Sequence, residues 1–365
     1  MGAVHIPDDI AFSVLCKLPL KSIKRFSCVH KSWSLLFENP YFMTNFRHSF
    51  ISDWHSYHHD SCLLLKQTEP KEPIDFNCVF YDENMVKLDC PLFYDNFHNV
   101  EWYFLGSAVN GILCLSQHDQ TVLWNPKTHE FEVLPPSLTG IKRLHGFGYD
   151  KVSDDYKIIC TVAALPKAWE IYSLRSDSWR KLDIDMPPCD SKPIGADVYL
   201  NGMCHWGGEK DGFEMCLVSF ELSKEFLTTP LPDLNDPCPE WFATQWLTRH
   251  LVVLKGSIAF ISNSSNSTST FHISILGELG VKESWVRLFT IGPLPYAKQT
   301  VGFCREDTLG IGKKGDILFK KGDNELAWFD LRTEMIKDIG IRGQWLSSQI
   351  VIYKESLLPI GGRNN

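Results

Sequence analysis

Residues able to do chemistry gather in a few places along the chain. Gly310, Gly312 and Gly315 have the G-x-G-x-x-G spacing, which cradles a pyrophosphate when a strand precedes it and a helix follows. Here the continuation is DILFKKGD, a strand and another turn, so these glycines read as hairpin residues. His55, His58, His59 and Asp60, with Cys62 close by, are all capable metal ligands. A zinc site of this kind needs a second ligand pair elsewhere, so HSYHHD reads as a polar linker. The twelve cysteines are scattered: the closest pairs, Cys16/Cys28, Cys78/Cys90 and Cys204/Cys216, are each twelve positions apart, with no C-x-x-C. They read as buried, reduced thiols packing as small hydrophobes. No Ser-His-Asp or Cys-His order has local context to support a nucleophile. The expectation is a chain with no catalytic residue, cofactor or metal of its own.

Bulk composition narrows the partners. Of 365 residues 44% are hydrophobic and 22% charged, ordinary globular material able to bury a full core. A formal charge of −8 argues against nucleic acid as the main partner, since phosphate binding needs a basic surface. No run approaches the roughly 18 apolar residues of a membrane span, and residues 1–6 lack the basic and apolar regions of a signal peptide. Cytoplasmic or nuclear residence is expected, leaving the sequons at Asn263 and Asn266 without glycan. The charge is uneven: residues 1–50 hold six bases against three acids, while the remaining 315 hold 30 against 41. That asymmetry suggests a small module meeting an acidic partner, carried on a larger acidic domain.

The elements that position these surfaces begin with helices. Pro7 suits the first helical position, with Asp8 and Asp9 against the positive end of the dipole. Ile10, Val14, Leu15 and Leu18 then recur on one helical face. Pro19 ends this helix and a second segment restarts at Leu20, with Ile23, Phe26, Val29, Trp33 and Leu36 at helical spacing up to a stop at Asn39-Pro40. A three-helix module with this much apolar surface should present part of it to a partner.

The run IPDDIAFSVLCKLPLKSIKRFSCVHKSWSLLFENPYF, residues 6–42, resembles an F-box. It has the opening hydrophobic-Pro pair, the central L-P-x-K-S, and C-V-x-K-S-W followed by Pro and an aromatic. His30 stands where plant members usually carry a second Cys. The resemblance implies docking to an acidic Skp-family adaptor. By position, Pro7, Ile10, Leu18, Pro19 and Ile23 would contact the adaptor, while Phe26 and Trp33 hold the module together.

From about residue 60 the pattern changes to short apolar-aromatic runs separated by Gly, Asn, Asp and Pro, the signature of strands. Turns recur: Asn110-Gly111, Asp154-Asp155, Asn201-Gly202, Lys255-Gly256 and Lys314-Gly315, with a weaker first member at Asp60-Ser61. Both residues of an Asn-Gly hairpin turn must reach positive φ. A second element follows each turn, in WNPKTHEF from Trp124, YSLRSDSW from Tyr172, FELSKEF from Phe220 and FDLRTEM from Phe329; further copies are expected near Ile275 and Phe80. This spells six units of two hairpins each, the kelch-type propeller blade. The C-terminal strand from Gln349 would complete the first blade and close the ring.

SDDYKII, IYSLRSDSWRKL, VYLNGMCHW, VSFELSKEF, LVVLKGSIAFI and VKESWVRLFTI are also similar to the type-1 F-box-associated domain of plants, a layout shared with S-locus F-box and F-box/kelch-repeat proteins. The fold expected is therefore a small all-α F-box over residues 1–50, a linker over 51–59 and an all-β propeller of six four-stranded blades over 60–360. The resemblance implies the substrate receptor of an SCF-type ubiquitin ligase. It would hold a Skp adaptor, through it a cullin-RING ligase, and capture a protein substrate for degradation. A propeller enzyme with a helical leader and a non-degradative F-box scaffold stay open as alternatives. In a four-stranded blade the first and third turns share one face, which leaves the longer connections 185–195, 228–247 and 262–270 on the other. The second of these carries Trp241, Phe242 and Trp246, the candidate substrate-binding aromatics, which could equally plug the channel or cap a blade.

Overall fold

The computed structural model describes residues 7–18, 20–27, 33, 35–36, 39–52, 61–67, 75–79, 85–88, 102–117, 120–138, 142–162, 168–187, 197–210, 214–223, 226–232, 249–264, 267–294, 310–311, 316–321, 325–342, 348–357 and 359–360. Pro19, the HSYHHD run, Lys314-Gly315, Trp241, Phe242 and Trp246 lie outside them.

The N-terminal segment is helical: α1 (Asp8–Leu15), α2 (Leu20–Ser27) and α3 (Pro40–Ser52). Pro7 is the residue before α1 rather than its first, and its carbonyl accepts the Ala11 amide at 3.0 Å. Its extended ψ of 142° is what an N-cap position needs. The apolar period of the first segment carries on to Leu18, but α1 stops at Leu15 because Cys16–Leu18 turn ahead of Pro19. Helix α2 runs to Ser27 and Trp33 is again helical, while Asn39-Pro40 starts a helix where only a stop is expected. Asn39 Oδ1 accepts the amides of Tyr41 and Phe42 at 3.0 and 3.1 Å, an N-cap with proline at the first helical position. Helix α3 continues to Ser52, into the segment read as linker.

Among the described residues the remainder forms six four-stranded antiparallel sheets. In chain order the strands are β1 (Ser61–Gln67), β2 (Asp75–Val79) and β3 (Met85–Leu88); β4 (Tyr103–Phe104), β5 (Leu113–Gln117), β6 (Gln120–Asn125) and β7 (Glu130–Val133); β8 (Lys142–Asp150), β9 (Asp155–Val162), β10 (Ala168–Ser173) and β11 (Ser178–Leu182). They continue with β12 (Val198–Leu200), β13 (Met203–Lys210), β14 (Glu214–Glu221) and β15 (Phe226–Pro230); β16 (Arg249–Leu254), β17 (Ser257–Ser264), β18 (Ser267–Leu276) and β19 (Trp285–Ile291). The last are β20 (Gly310–Ile311), β21 (Ile317–Lys320), β22 (Glu325–Phe329), β23 (Ile336–Arg342) and β24 (Ser348–Lys354). Five sheets are consecutive quartets, and the sheet β24-β1-β2-β3 takes its first strand from the C-terminus.

The first strands stand side by side, β8 next to β12, β12 next to β16, β16 next to β20, β20 next to β24 and β24 next to β4. Buried clusters fill the spaces between consecutive sheets. Leu113 and Trp124 share a cluster with Val351 and Tyr353, Leu123 with Leu144, Leu217 with Leu251 and Phe260, Ile275 with Phe329, and Leu65 with Leu318, while Trp169 packs on Trp206. This is a β-propeller, closed by the pairing of β24 with β1 from Ser61↔Lys354 to Gln67↔Ser348. The C-terminal strand does what its sequence suggested.

The turns explain the repeat. Asn110 and Gly111, Asn201 and Gly202, and Lys255 and Gly256 all have positive φ, the mirror-image turn geometry that matches the twist of the flanking strands. At the Asp154-Asp155 turn only Asp154 is left-handed, and Asp155 already belongs to β9. In the second element the acid or amide is itself a turn former. Asn125 Oδ1 accepts the Lys127 amide at 3.0 Å, and Asp330 Oδ1 accepts those of Arg332 and Thr333. One expected connection is shorter than its sequence suggests: residues 262–264 belong to β17 and 267–270 to β18.

The segment after β24 fastens the ring a second time. Glu355 pairs with Lys127 at 2.8 Å, the Ser356 carbonyl accepts Asn125 Nδ2 at 3.0 Å, and the Ile360 amide reaches Glu130. A Cβ on Gly111 would lie 2.3 Å from Ser356 Cβ, whereas one on Gly202 meets nothing within 4 Å. Both glycines have φ above +80°. Gly202→Ala should therefore cost only the backbone term, about 1–2 kcal/mol. Gly111→Ala should cost at least about 1 kcal/mol more, because the tail must also move. Urea midpoints of the two variants measure the difference; equal losses would show that the tail contributes nothing.

Candidate functional site

The helices present a divided surface. Helix α1 buries Ala11 and Leu15, one turn apart, while Ile10 and Val14, also one turn apart, are 52% and 55% exposed. The sequence period groups Ile10, Val14 and Leu15 on one face; the fold turns Leu15 inward and leaves the β-branched pair in solvent. Pro7 is exposed and Leu18 is half-buried. Ile23 is a correction to the expected contact set: it is fully buried in a core cluster with Leu15, Leu36, Phe42 and Phe46, so it holds the helices in place and cannot be offered to a partner. Phe26 differs the other way. It is 40% exposed, with Trp33 edge-on at 6.1 Å. Leu35 and Tyr41 are further exposed apolar side chains. Val14, Leu35 and Tyr41 were not among the expected contacts; the signal for Val14 was its one-turn spacing from Ile10.

Among the described residues of the propeller, several groups that could do chemistry are engaged in packing. His145 shares a 2.8 Å hydrogen bond with Thr161 and packs against the rings of Trp169 and Trp206. His205 pairs with Ser219 at 2.8 Å. Burial pulls His205 and His250 down to about 4, so both are neutral near pH 7. Burial pushes the Cys160 thiol up to about 12 and those of Cys114 and Cys204 higher still, which removes their thiolate character. Gly310-Ile311 pair with Leu318-Ile317 as β20 and β21, so a strand follows the glycine-rich run. Among the described residues no group of three or more His, Cys, Asp and Glu is placed to hold a metal, and no helix is long and apolar enough to cross a membrane.

The two faces of the propeller differ. The Asp155 carboxylate, at the first turn of the β8–β11 sheet, accepts Ser173 Oγ at 2.6 Å and the Arg175 amide at 2.8 Å, while Arg175 Nη1 donates to the Ser153 carbonyl at 3.0 Å. In the β12–β15 sheet the Leu222 amide reaches the Gly202 carbonyl. The first and third turns of a sheet therefore share one face, and neighbouring sheets are tied across it. Lys157 bridges Asp150 at 2.5 Å and the Leu222 carbonyl at 3.3 Å. Burial alone would raise the Asp150 pKa, but Lys157, Ser153 and the Val152 amide together hold it down at about 2. This turn face is thus a knit structural surface. The crossovers from one sheet to the next leave on the opposite face, and the 185–195 segment begins there, after β11. The segment with Trp241, Phe242 and Trp246 joins β15 to β16.

Comparison with known proteins accords with both parts. An F-box domain model matches residues 4–45, and an F-box associated beta propeller domain model matches residues 76–351. An F-box protein of Arabidopsis thaliana is 28% identical over 304 residues, covering 79% of this chain and 66% of the relative. An F-box/kelch-repeat protein of the same plant is 27% identical over 256 residues, covering 60% and 56%. The chain thus spans somewhat less than two thirds of either relative. Among solved structures, TolB from Acinetobacter baumannii superposes with a TM-score of 0.50 at 8% identity, over 84% of this chain and 72% of that one, a likeness of fold alone.

Proposed function

Because the chain belongs to the F-box proteins that carry an F-box-associated β-propeller, we propose that it is the substrate-recognition subunit of an SCF-type E3 ubiquitin ligase. The observation that carries the reading is the union of an apolar, solvent-facing pair, Ile10 and Val14, on the helical module with a propeller whose described interior is committed to packing. The helical module, taken as residues 1–50, docks a Skp-family adaptor and through it a cullin-RING ligase. The propeller, taken as residues 60–360, is a ring of six blades that captures a protein and holds it for ubiquitin transfer, in the cytoplasm or nucleus. Six sheets, each packed on the next, support the blade count. Catalysis belongs to the other subunits; this chain supplies proximity, converting a bimolecular transfer into an effectively intramolecular one.

Adaptor contact falls to Ile10 and Val14 together with Pro7, Leu18 and Pro19, and substrate contact to the crossover face. Trp241, Phe242 and Trp246 are the candidates there, since large aromatics are the usual hot spots of binding faces. Changing all three to Ala should leave the melting temperature and adaptor binding intact while abolishing co-precipitation of target proteins, each lost aromatic costing ~2 kcal/mol or more. A collapsed melting temperature would instead make them core, and unchanged target capture would move the substrate site elsewhere.

A further inference from the structure

The helical module and the propeller are not independent bodies on a tether. Leu15, Cys16, Ile23, Leu36, Phe42, Met43 and Phe46 belong to the same buried cluster as Val286, Leu288, Phe289 and Ile291 of β19 and Phe319 of β21. Phe12, Leu18 and Trp33 pack against it from the helical side. Arg25 of α2 meets Glu278, in the connection from β18 to β19, at 3.7 Å. That connection is the third turn of its sheet, so the contact lies on the turn face. The chain also enters the propeller there: Ser61, the first residue of β1, is paired with Lys354, from which the tail runs on to the turns of the β4–β7 sheet. Two independent observations, the ion pair and the point of entry, put the helices on the same face.

We infer that the helical module is docked on the turn face, over the β16–β19 and β20–β23 sheets, as a continuation of the propeller's own core. The chain then presents its two partner surfaces as one rigid body. Ile10 and Val14 stay exposed in the docked arrangement, so an adaptor can bind without undocking, and the crossover face is the opposite one. A fixed vector between adaptor and substrate selects which lysines of a bound target come within reach of transfer. A flexible tether would sample many. This consequence rests on the receptor reading above; the docking itself does not.

Two measurements on the intact chain, with no adaptor or substrate present, test the docking separately from the function. Treatment with a short amine-reactive cross-linker should join Lys17, Lys21 or Lys24 to Lys282. Hydrogen exchange of Ile23→Ala should rise at least several-fold both in the helices and in β18 and β19, while the β8–β11 sheet keeps its protection. Absence of the cross-link, or faster exchange confined to the helices, would overturn the proposal and leave the receptor assignment untouched.

Discussion

A chain ending at Arg342 should fail to fold cooperatively. Removing β24 deletes the whole ladder to β1, from Ser61↔Lys354 to Gln67↔Ser348, and takes Val351 and Tyr353 out of the cluster that holds Trp102, Leu113 and Trp124. Gln349, whose Oε1 accepts the Phe104 amide at 2.7 Å, ties this strand to the next sheet as well. Each buried large side chain contributes about 1.5–3 kcal/mol, and Cys62, Leu64 and Leu65 lose cover in addition. Against a net stability of about 5–15 kcal/mol for a typical domain, the loss is decisive, and the new open edge on β1 invites aggregation. Urea unfolding and solubility read the outcome. A truncated protein that melts as sharply and at the same midpoint as the intact chain would refute the closing role of β24.

Replacing Ile10 and Val14 together by Asp should abolish adaptor capture without unfolding the chain. Both side chains are more than half exposed, so stability changes within about 0.5 kcal/mol are expected. At an interface, each buried aliphatic anchor turned into an unpaired carboxylate costs at least ~2 kcal/mol, and two together amount to roughly a thousandfold in Kd. Ile23→Ala makes the contrast. It leaves a cavity in the shared core and should cost about 2–5 kcal/mol of stability. Pull-down with purified adaptor, alongside thermal melts, separates the two. Capture by the double Asp variant at wild-type strength would move the adaptor site off α1.

The propeller was legible because its turns make demands that few residues meet. Asn110-Gly111, Asn201-Gly202 and Lys255-Gly256 need positive φ at both positions, and Asn125 and Asp330 supply a carbonyl-like acceptor two residues before a free amide. Those requirements are local, so they are written in the sequence at the spacing of the sheets. The run 262–270 misled for a related reason. Its Ser, Asn and Thr residues look like a loop, yet backbone pairing of β17 with β18 is indifferent to polar side chains there, and Asn263 pairs with Phe271 across the ladder. Asn39-Pro40 carries both a stop and a start signal, and the start shows itself only in the Asn39 cap on the Tyr41 and Phe42 amides. The hidden part was tertiary. The period that groups Ile10, Val14 and Leu15 marks an apolar stripe but not which of its edges meets solvent, and the cluster that buries Ile23 extends to sheets more than 200 positions away in the chain. The Arg25–Glu278 contact is equally remote.

The receptor assignment turns on one titration: the purified chain with a purified plant Skp adaptor, at low and at high salt. The account predicts a one-to-one complex in which the apolar pair supplies most of the affinity. The surplus of bases in the first fifty residues should add an attraction that weakens as salt rises and the Debye length falls from about 10 Å toward 3 Å. No binding at either salt concentration, from a chain that melts cooperatively, would contradict it.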